Sequence, residues 1–325
     1  MSKYFNEKVK VRIMCCYAVL LTVKNIMRIE QRYSGDKDVK KTSLFYEQFI
    51  KRFVDWCHTQ PEICATIIVG SQTRTILPAD EWADLDLMIY ADNPKRYMQK
   101  TDWLQKLGKV LVSIISLTAG NDPEHLVLFE GGYNVDFVFF SKDTLKWMID
   151  AGVVPDVFLR GSKVIFDRDG LASKFVPKTS GSPTFKPPTQ DEFNWIINTF
   201  WYWAYYIAKQ LRRRELWLTK MRDIDMKKCL LQMMEWHIHA TKGWNYDTWH
   251  SGRFLEKWAN PCAFKELHST FAHFNESDSW QALQATMNLF QRLAIETAEH
   301  LKYSYPHIVS KHVTKLIENL YYVSE

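Results

Sequence analysis

Four residues in the first half of the chain have types and spacing that suit the binding of a nucleotide phosphate and a metal ion. A short apolar run, residues 64–69, ends in Gly70 and Ser71, and twelve residues separate Ser71 from Asp84, with Asp86 two positions further on. Glycine lets the backbone approach a ligand closely. If a helix begins at Ser71, its free N–H groups and positive dipole end face a phosphate.

The two carboxylates are predicted to share one face of a strand, because alternate side chains of a strand point the same way. Asp84 and Asp86 lie on that face, and Leu85 and Leu87 lie on the opposite, buried face. Neighbouring carboxylates repel each other and stay ionised readily only with a cation between them. Hard oxygen ligands select Mg²⁺, so the pair indicates a magnesium site. A solvated strand end is the alternative interpretation.

A third carboxylate, Asp136, lies within an apolar run, residues 133–140. An unpaired carboxylate in a buried strand is costly, which indicates a functional role for Asp136. If its strand is the neighbour of the strand that carries Asp86, the three carboxylates form one cluster.

The elements that must position these residues alternate between strands and helices. Short apolar runs predict strands at 64–69, 85–90, 109–116, 125–129, 133–140 and 162–166. Helical spacing of apolar residues predicts helices at 44–58, 95–107 and 142–150. The Gly-Gly turn at 131–132 joins two of the strands into a hairpin. This half of the chain is therefore predicted to be a mixed sheet with flanking helices.

The second half of the chain has a different pattern of residues. Residues 177–189 contain four prolines and are predicted to be a linker. Long amphipathic runs follow at 191–219, 224–242, 278–301 and 307–321 and predict a helical bundle. The fold class is α+β, with four predicted segments: an extension 1–42, a sheet domain 43–176, the linker 177–189 and a helical domain 190–325.

Composition and charge limit the possible functions. Of the 325 residues, 46% are hydrophobic and 24% are charged, which excludes a wholly disordered or membrane-spanning chain. Residues 1–42 hold ten Lys/Arg and four Asp/Glu, which gives them a net charge of +6. The whole chain has a net charge of +5, so the remaining residues together carry −1. The near-neutral body gives no electrostatic reason to bind nucleic acid and suits a cationic partner better.

The extension and the cysteines bear on location. Residues 13–23 form an apolar run that is too short to cross a bilayer and has no small-residue cleavage site after it. This run could be a targeting signal or a docking helix, or the true start of the protein could be Met27. The six cysteines show no zinc spacing, and a reduced cytoplasmic protein without a membrane partner is the simplest interpretation. The oligomeric state is not predicted.

The string IIVGSQTRTILPADEWADLDLMIY, followed by NVDFVFF, resembles the DNA-polymerase-β-like nucleotidyltransferase superfamily. The strings ADEWADLDL and LVLFEGGYNVDFVF and the aromatic helix beginning FWYWAYYIAKQL make the chain similar to the aminoglycoside (streptomycin) 6-adenylyltransferase family over residues 44–320. One departure is visible, since the family usually has arginine directly after Gly-Ser, where this chain has Gln72 and then Arg74.

The resemblance implies a nucleotidyltransferase that transfers AMP from ATP to a hydroxyl of an aminoglycoside, with streptomycin as the family expectation and Mg²⁺ as cofactor. It implies Gly70, Ser71 and Arg74 at the triphosphate and Asp84 and Asp86 as metal ligands. Asp136 would ligate metal or take the proton of the acceptor hydroxyl. Three alternatives stay open: another polar acceptor, an RNA-tailing enzyme, and a nucleotide-binding protein that has lost catalysis.

The helical half supplies further candidates. Tyr202, Tyr205 and Lys209 fall at i, i+3 and i+7 on one face of a helix, away from the main apolar stripe. Lys209 is predicted to contact a phosphate, and the two tyrosines could stack on a base or a sugar or pack in the core. Glu235 lies in an apolar run, where it could bind an ammonium or guanidinium group of the acceptor or pair within the protein.

Overall fold

The structure, a computed structural model, describes residues 35–118, 120–177 and 181–322, with side chains from Thr42 onward. The chain divides into two compact units, and the division follows Gly181. Most of the predicted extension 1–42, including the apolar run 13–23, lies outside the described residues. The first helix, α1 (Gly35–His58), crosses the predicted boundary at residue 43 and contains the helix predicted at 44–58.

The first unit is built on a six-stranded mixed sheet. Strand order is β3-β4-β5-β2-β1-β6, and β2 and β5 are parallel whereas the other neighbouring pairs are antiparallel. The α+β class is thereby confirmed. The strands are β1 (Ile63–Val69), β2 (Leu85–Ala91), β3 (Val110–Leu117), β4 (Pro123–Phe129), β5 (Tyr133–Ser141) and β6 (Ser162–Asp167).

Helix α1 covers one side of the sheet. Its buried face follows helical spacing at Tyr46, Phe49, Phe53 and Trp56, and these side chains join the apolar residues of the central strands in one core. A second apolar cluster lies on the other side, where α3 (Lys142–Ala151), α4 (Asp156–Leu159) and α5 (Ala172–Phe175) contribute side chains. The central strands β1, β2 and β5 are therefore held from both sides.

The helix predicted at 95–107 is wrong in extent. The structure has α2 (Pro94–Gln99), an extended Lys100, and then a 3₁₀ helix over Asp102–Lys106. The break brings the Trp103 ring into the core, where it stacks on Trp56 with ring centroids 4.8 Å apart. Burial of a large aromatic side chain outweighs the continuation of a marginal helix.

The edge strand β3 is unusual because it exposes its apolar side chains. Its eight residues include no charged residue and no proline. Five of its large apolar side chains are each more than half exposed. They are Leu111, Val112, Ile114, Ile115 and Leu117. One β-bulge lies between positions 110 and 112.

The second unit is helical. Its long helices are α6 (Gln190–Arg212), α7 (Leu216–Lys242), α10 (Glu276–Leu301) and α11 (His307–Tyr322), with the short α8 (Leu255–Trp258) and α9 (Pro261–Leu267) between them. Helix α6 begins with a capping box, in which Thr189 and Glu192 satisfy each other's backbone N–H groups. The core of the unit includes Phe200 and Phe290, whose rings stack with centroids 3.6 Å apart.

The long run predicted at 191–219 is interrupted. Helix α6 ends at Arg212, Arg214 adopts a left-handed backbone with φ of +60°, and α7 begins at Leu216. A residue with a left-handed backbone conformation cannot continue an α-helix, so the break between α6 and α7 has a local backbone cause.

Among the described residues, no helix is both long enough and apolar enough to cross a membrane. Four of the six cysteines lie in the described ranges and all four are free: Cys57, Cys64 and Cys229 are buried, and Cys262 is exposed.

Candidate active site

The acidic centre of the first unit lies where β2 and β5 run side by side. Asp86 on β2 is directly opposite Asp136 on β5 in the parallel register. Leu85 and Leu87 are fully buried, whereas Asp84 and Asp86 are half-buried, as the alternation of side chains along a strand predicts. Neighbouring strands are about 4.8 Å apart, so the two paired carboxylates project from adjacent positions on one face.

Gly70 holds the turn after β1 close to this centre. Val69, the last residue of β1, is paired with Asp86, and Gly70–Gln72 form a single 3₁₀ turn. Gly70 has φ of +73°, in the left-handed region that favours glycine. A Cβ atom at this position would lie 3.1 Å from Asp86 Cγ and still closer to one carboxylate oxygen. The backbone conformation therefore favours glycine, and a side chain at this position would displace the Asp86 carboxylate.

Ser71 and Gln72 contact the acidic centre by hydrogen bonds to the backbone of Asp84. Ser71 Oγ donates a hydrogen bond to the Asp84 carbonyl oxygen at 3.4 Å, and Gln72 Nε2 donates to the same oxygen at 3.2 Å. The helix expected to begin at Ser71 is only the 3₁₀ turn, which ends at Gln72. The contact of the Gln72 amide with the residue that precedes β2 was not predicted from the sequence.

Arg74 lies in the loop that follows, and Gly161 supports this loop. The Arg74 Nε donates to the Leu77 carbonyl oxygen. A Cβ atom on Gly161 would lie 2.5 Å from the Thr73 carbonyl oxygen and 2.7 Å from Arg74 Cα, and Gly161 has φ of +148°. Sequence reasoning missed Gly161, and its place directly before the predicted last strand is the signal that could have found it.

The carboxylates of the centre act on one another. Burial and, to a smaller extent, the negative charges of Asp86, Asp84 and Glu124 together raise the pKa of Asp136 to about 7. Glu124, on the neighbouring strand β4, was not a sequence candidate. Every charge that shifts the pKa of Asp136 is negative, so the centre has an excess of negative charge.

Tyr46 of α1 borders the same centre and was also missed. Its hydroxyl donates to the Asn134 carbonyl oxygen at 3.0 Å. Burial raises the pKa of Tyr46, and the charge of Asp84 is the next largest cause. Helix α1 thus closes one side of the acidic centre with a neutral phenol.

The donors suit a divalent cation, although they do not form a complete cage. In the part of the chain that the structure describes, no group of three or more His, Cys, Asp or Glu side chains is placed so as to hold a metal ion. Mg²⁺, however, is usually bound by one or two carboxylates together with substrate phosphates. The pair Asp86 and Asp136, with Asp84 nearby, fits that requirement, because a cation would relieve the repulsion that raises the Asp136 pKa.

The remaining predicted site residues belong to the second unit. Lys209 is exposed, and its Nζ lies 5.1 Å from the ring centroid of Tyr205 and 5.4 Å from that of Tyr206. Tyr202 is 63% exposed, and its ring stacks on Tyr206 with centroids 6.4 Å apart. Tyr205 is half-buried against the helical core. Tyr206 was not predicted, although it lies one helical turn after Tyr202.

Glu235 on α7 is half-buried, and in residues 181–322 it forms no ion pair with Lys, Arg or His. Its Oε2 accepts a hydrogen bond from Gln232 Nε2 at 3.2 Å. Burial raises the pKa of Glu235 to about 7. Within residues 181–322, the partner of Glu235 inside the protein is thus an amide and not a cation.

Glu235→Gln is expected to stabilise the protein at pH 8 and to leave it nearly unchanged at pH 4.5. The pKa of Glu235 in the folded protein, about 7, is above its ordinary value of 4.5. The stability that depends on Glu235 being protonated is therefore fully present below pH 4.5 and is lost as the pH rises through 7. Glutamine keeps the shape and removes the charge, which gives a gain of roughly 2 kcal/mol at pH 8. Melting temperatures at both pH values measure this gain. Glu256→Gln, at an exposed carboxylate, is the matched control, and an equal gain in both variants would contradict the assignment.

Comparison with known proteins shows which family the chain is similar to. The family model for streptomycin adenylyltransferase matches residues 45–320. An aminoglycoside 6-adenylyltransferase of Bacillus subtilis is 24% identical over 85% of this chain and 97% of its own length. One from Campylobacter jejuni is 26% identical over 78% of this chain and 88% of its own. The crystal structure of an aminoglycoside 6-adenyltransferase from Bacillus subtilis aligns with a TM-score of 0.42 and 22% identity, over 85% of this chain and 98% of that one.

Proposed function

Because the chain belongs to the streptomycin adenylyltransferase family and is thus a nucleotidyltransferase, we propose that it transfers AMP from ATP to a hydroxyl of a streptomycin-type aminoglycoside. Pyrophosphate is the other product, and the reaction depends on Mg²⁺. The observation that carries the proposal is the direct pairing of Asp86 with Asp136 beside the Gly70 turn. The sheet unit, residues 43–176, performs the chemistry, and the helical unit, residues 190–325, contributes acceptor-binding side chains.

Asp84, Asp86 and Asp136 would hold the magnesium. When bound there, the ion supplies neutralisation of the negative charge on the triphosphate and on the attacking oxygen. Without a cation the excess negative charge of the centre would repel a triphosphate. Removal of divalent ions with a chelator is therefore expected to abolish turnover, and added Mg²⁺ to restore it.

The chain's own residues position the nucleotide and the acceptor. The absence of a side chain at Gly70 lets the turn lie against the Asp86 carboxylate, so a phosphate bound by this turn would lie near the proposed metal ligands. Ser71 and Arg74 would donate hydrogen bonds to phosphate oxygens. Asp136 would take the proton of the acceptor hydroxyl only where it does not itself ligate the ion, because a bound cation lowers the pKa of a carboxylate.

In the helical unit, Lys209 would contact a phosphate, and its aromatic neighbours Tyr202 and Tyr205 would stack on a base or a sugar. Glu235, which forms no ion pair with the described residues 181–322, would bind an ammonium or guanidinium group of the acceptor. A polycationic acceptor explains why a buried carboxylate is kept without a basic neighbour.

The direct test is incubation with Mg-ATP and a panel of aminoglycosides, with pyrophosphate release and the mass of the modified drug measured for each. Streptomycin is expected to release pyrophosphate and to gain one AMP. Release with a different polar hydroxyl compound alone would keep the chemistry and change the acceptor. Binding of Mg-ATP without any release would instead favour a nucleotide-binding protein that has lost catalysis.

Gln72→Arg is expected to tighten Mg-ATP by up to about tenfold, or ~1.4 kcal/mol, because a charged donor bonds phosphate more strongly than a neutral amide. Arginine can still donate to the Asp84 carbonyl oxygen, which Gln72 now contacts. The KM for ATP and a titration of Mg-ATP measure the change. Gln72→Leu, which removes the amide and adds no charge, is the paired variant, and it should weaken turnover. Identical ATP affinities in all three proteins would show that position 72 is remote from the phosphates.

A further inference from the structure

A groove on the second unit has the chemistry of a cation-binding site. It lies between α10 and α11 and has a volume of about 480 Å³. Leu283 and Ile317, which are both almost fully buried, form its floor and tie it to the core of the helical unit. Ligand pockets are commonly about 300–1,000 Å³, so the groove is large enough for a small organic molecule.

Three aromatic rings line one end of the groove. The rings of Trp280 and Tyr321 meet edge to face with centroids 5.3 Å apart, and those of Tyr321 and Tyr322 do so at the same distance. Trp280 is half-buried, while Tyr321 and Tyr322 are 49% and 75% exposed. Large apolar side chains left exposed around a concavity indicate a surface that binds something.

The charge of the groove has one sign. Glu318 lies three and four residues before the two tyrosines, on the same face of α11. Of the described residues that line the groove, Glu318 is the one carboxylate, and none is Lys, Arg or His. Amide side chains of Gln281, Gln284 and Asn288 supply the other polar groups.

We propose that this groove binds an organic ammonium ion. The faces of tryptophan and tyrosine attract a cation through the ring quadrupole, most strongly where the cation is partly desolvated. Glu318 supplies the opposite charge, and the amides can accept hydrogen bonds from ammonium or hydroxyl groups. The groove consists of residues of the helical unit alone, and the site proposed above uses none of them. The inference therefore does not rest on the proposed transferase activity.

Methylated ammonium compounds and aminated sugars are two classes of ligand that carry such a group, and the test separates them. The test is isothermal titration of the full chain with choline, with glucosamine, and with 3,3-dimethylbutan-1-ol, the neutral isostere of choline. At least one of the two cations is expected to bind, and the neutral isostere is not. Choline alone would identify the ligand as a methylated ammonium, and glucosamine alone as an aminated sugar.

Three variants locate the binding. Trp280→Leu and Glu318→Gln are each expected to weaken the cation by about tenfold, which is typical of the loss of a partly desolvated cation–π or charge contact. Glu256→Gln is the control at an exposed carboxylate elsewhere in the unit, and turnover should be unchanged in all variants. Tyr321→Leu repeats the test if Trp280→Leu fails to fold. The proposal is overturned if neither cation binds at about 10 mM, or if binding persists undiminished in the groove variants.

Discussion

Replacement of Asp86 by asparagine is expected to lower turnover by at least a hundredfold, or about 3 kcal/mol of barrier, while the protein stays folded. Asp86 is paired with Asp136 and is the closest carboxylate to the Gly70 turn. Asparagine has almost the same shape but loses the charge that a divalent cation needs. The free energy of unfolding should not fall, because repulsion among the carboxylates of the centre decreases.

The measurement is the initial rate of pyrophosphate release, with melting temperature as the test of folding. Asp84→Asn should behave similarly, since Asp84 directly precedes β2 and its charge also raises the pKa of Asp136. Asp143→Asn is the matched control, because the Asp143 side chain is 90% exposed and lies in the first turn of α3, beyond the end of β5. An Asp86→Asn enzyme that keeps a tenth or more of the wild-type rate would disprove the metal-ligand assignment.

Gly161→Ala is expected to be the most damaging single-methyl change in the first unit. The new Cβ would meet the Thr73 carbonyl oxygen and the Arg74 backbone at 2.5–2.7 Å, and neither can rotate away as a side chain would. Overpacking and an unfavourable φ together cost about 2–4 kcal/mol. The displaced loop carries Arg74, so the KM for ATP should rise together with the loss of stability.

Gly170→Ala separates the two causes of this effect. Gly170 also has a positive φ, of +66°, but a Cβ there would meet nothing within 4 Å. This control should lose about 1 kcal/mol from backbone strain and keep its affinity for ATP. Equal losses of stability in the two variants would mean that the contact between Gly161 and the loop has no energetic importance.

The acidic centre could be predicted from the sequence because it depends on local rules. The period of two in a strand places Asp84 and Asp86 together, and an acid within an apolar run marks Asp136. That β5 is the neighbour of β2 was only a condition in the prediction. Strand order is set by how all six strands and their helices pack, which no short stretch of sequence encodes.

Sequence reasoning missed the supporting residues because their roles depend on contacts between distant parts of the chain. Gly161 is required by a loop nearly ninety residues earlier in the chain, and Glu124 and Tyr46 are brought near Asp136 by the sheet and by α1. The break in the predicted helix 95–107 likewise follows from the core position of Trp103. Periodicity identified the elements, and tertiary packing decided where they end.

The uncharged edge strand β3 has a consequence for how the protein must be handled and for how it folds. An exposed strand without charge or proline is a template for pairing with other chains, and β3 has only one bulge to oppose this. Partly folded chains expose the same segment before the rest of the sheet forms. The yield of native protein should therefore fall as concentration rises during synthesis or refolding, whatever the stability of the finished fold.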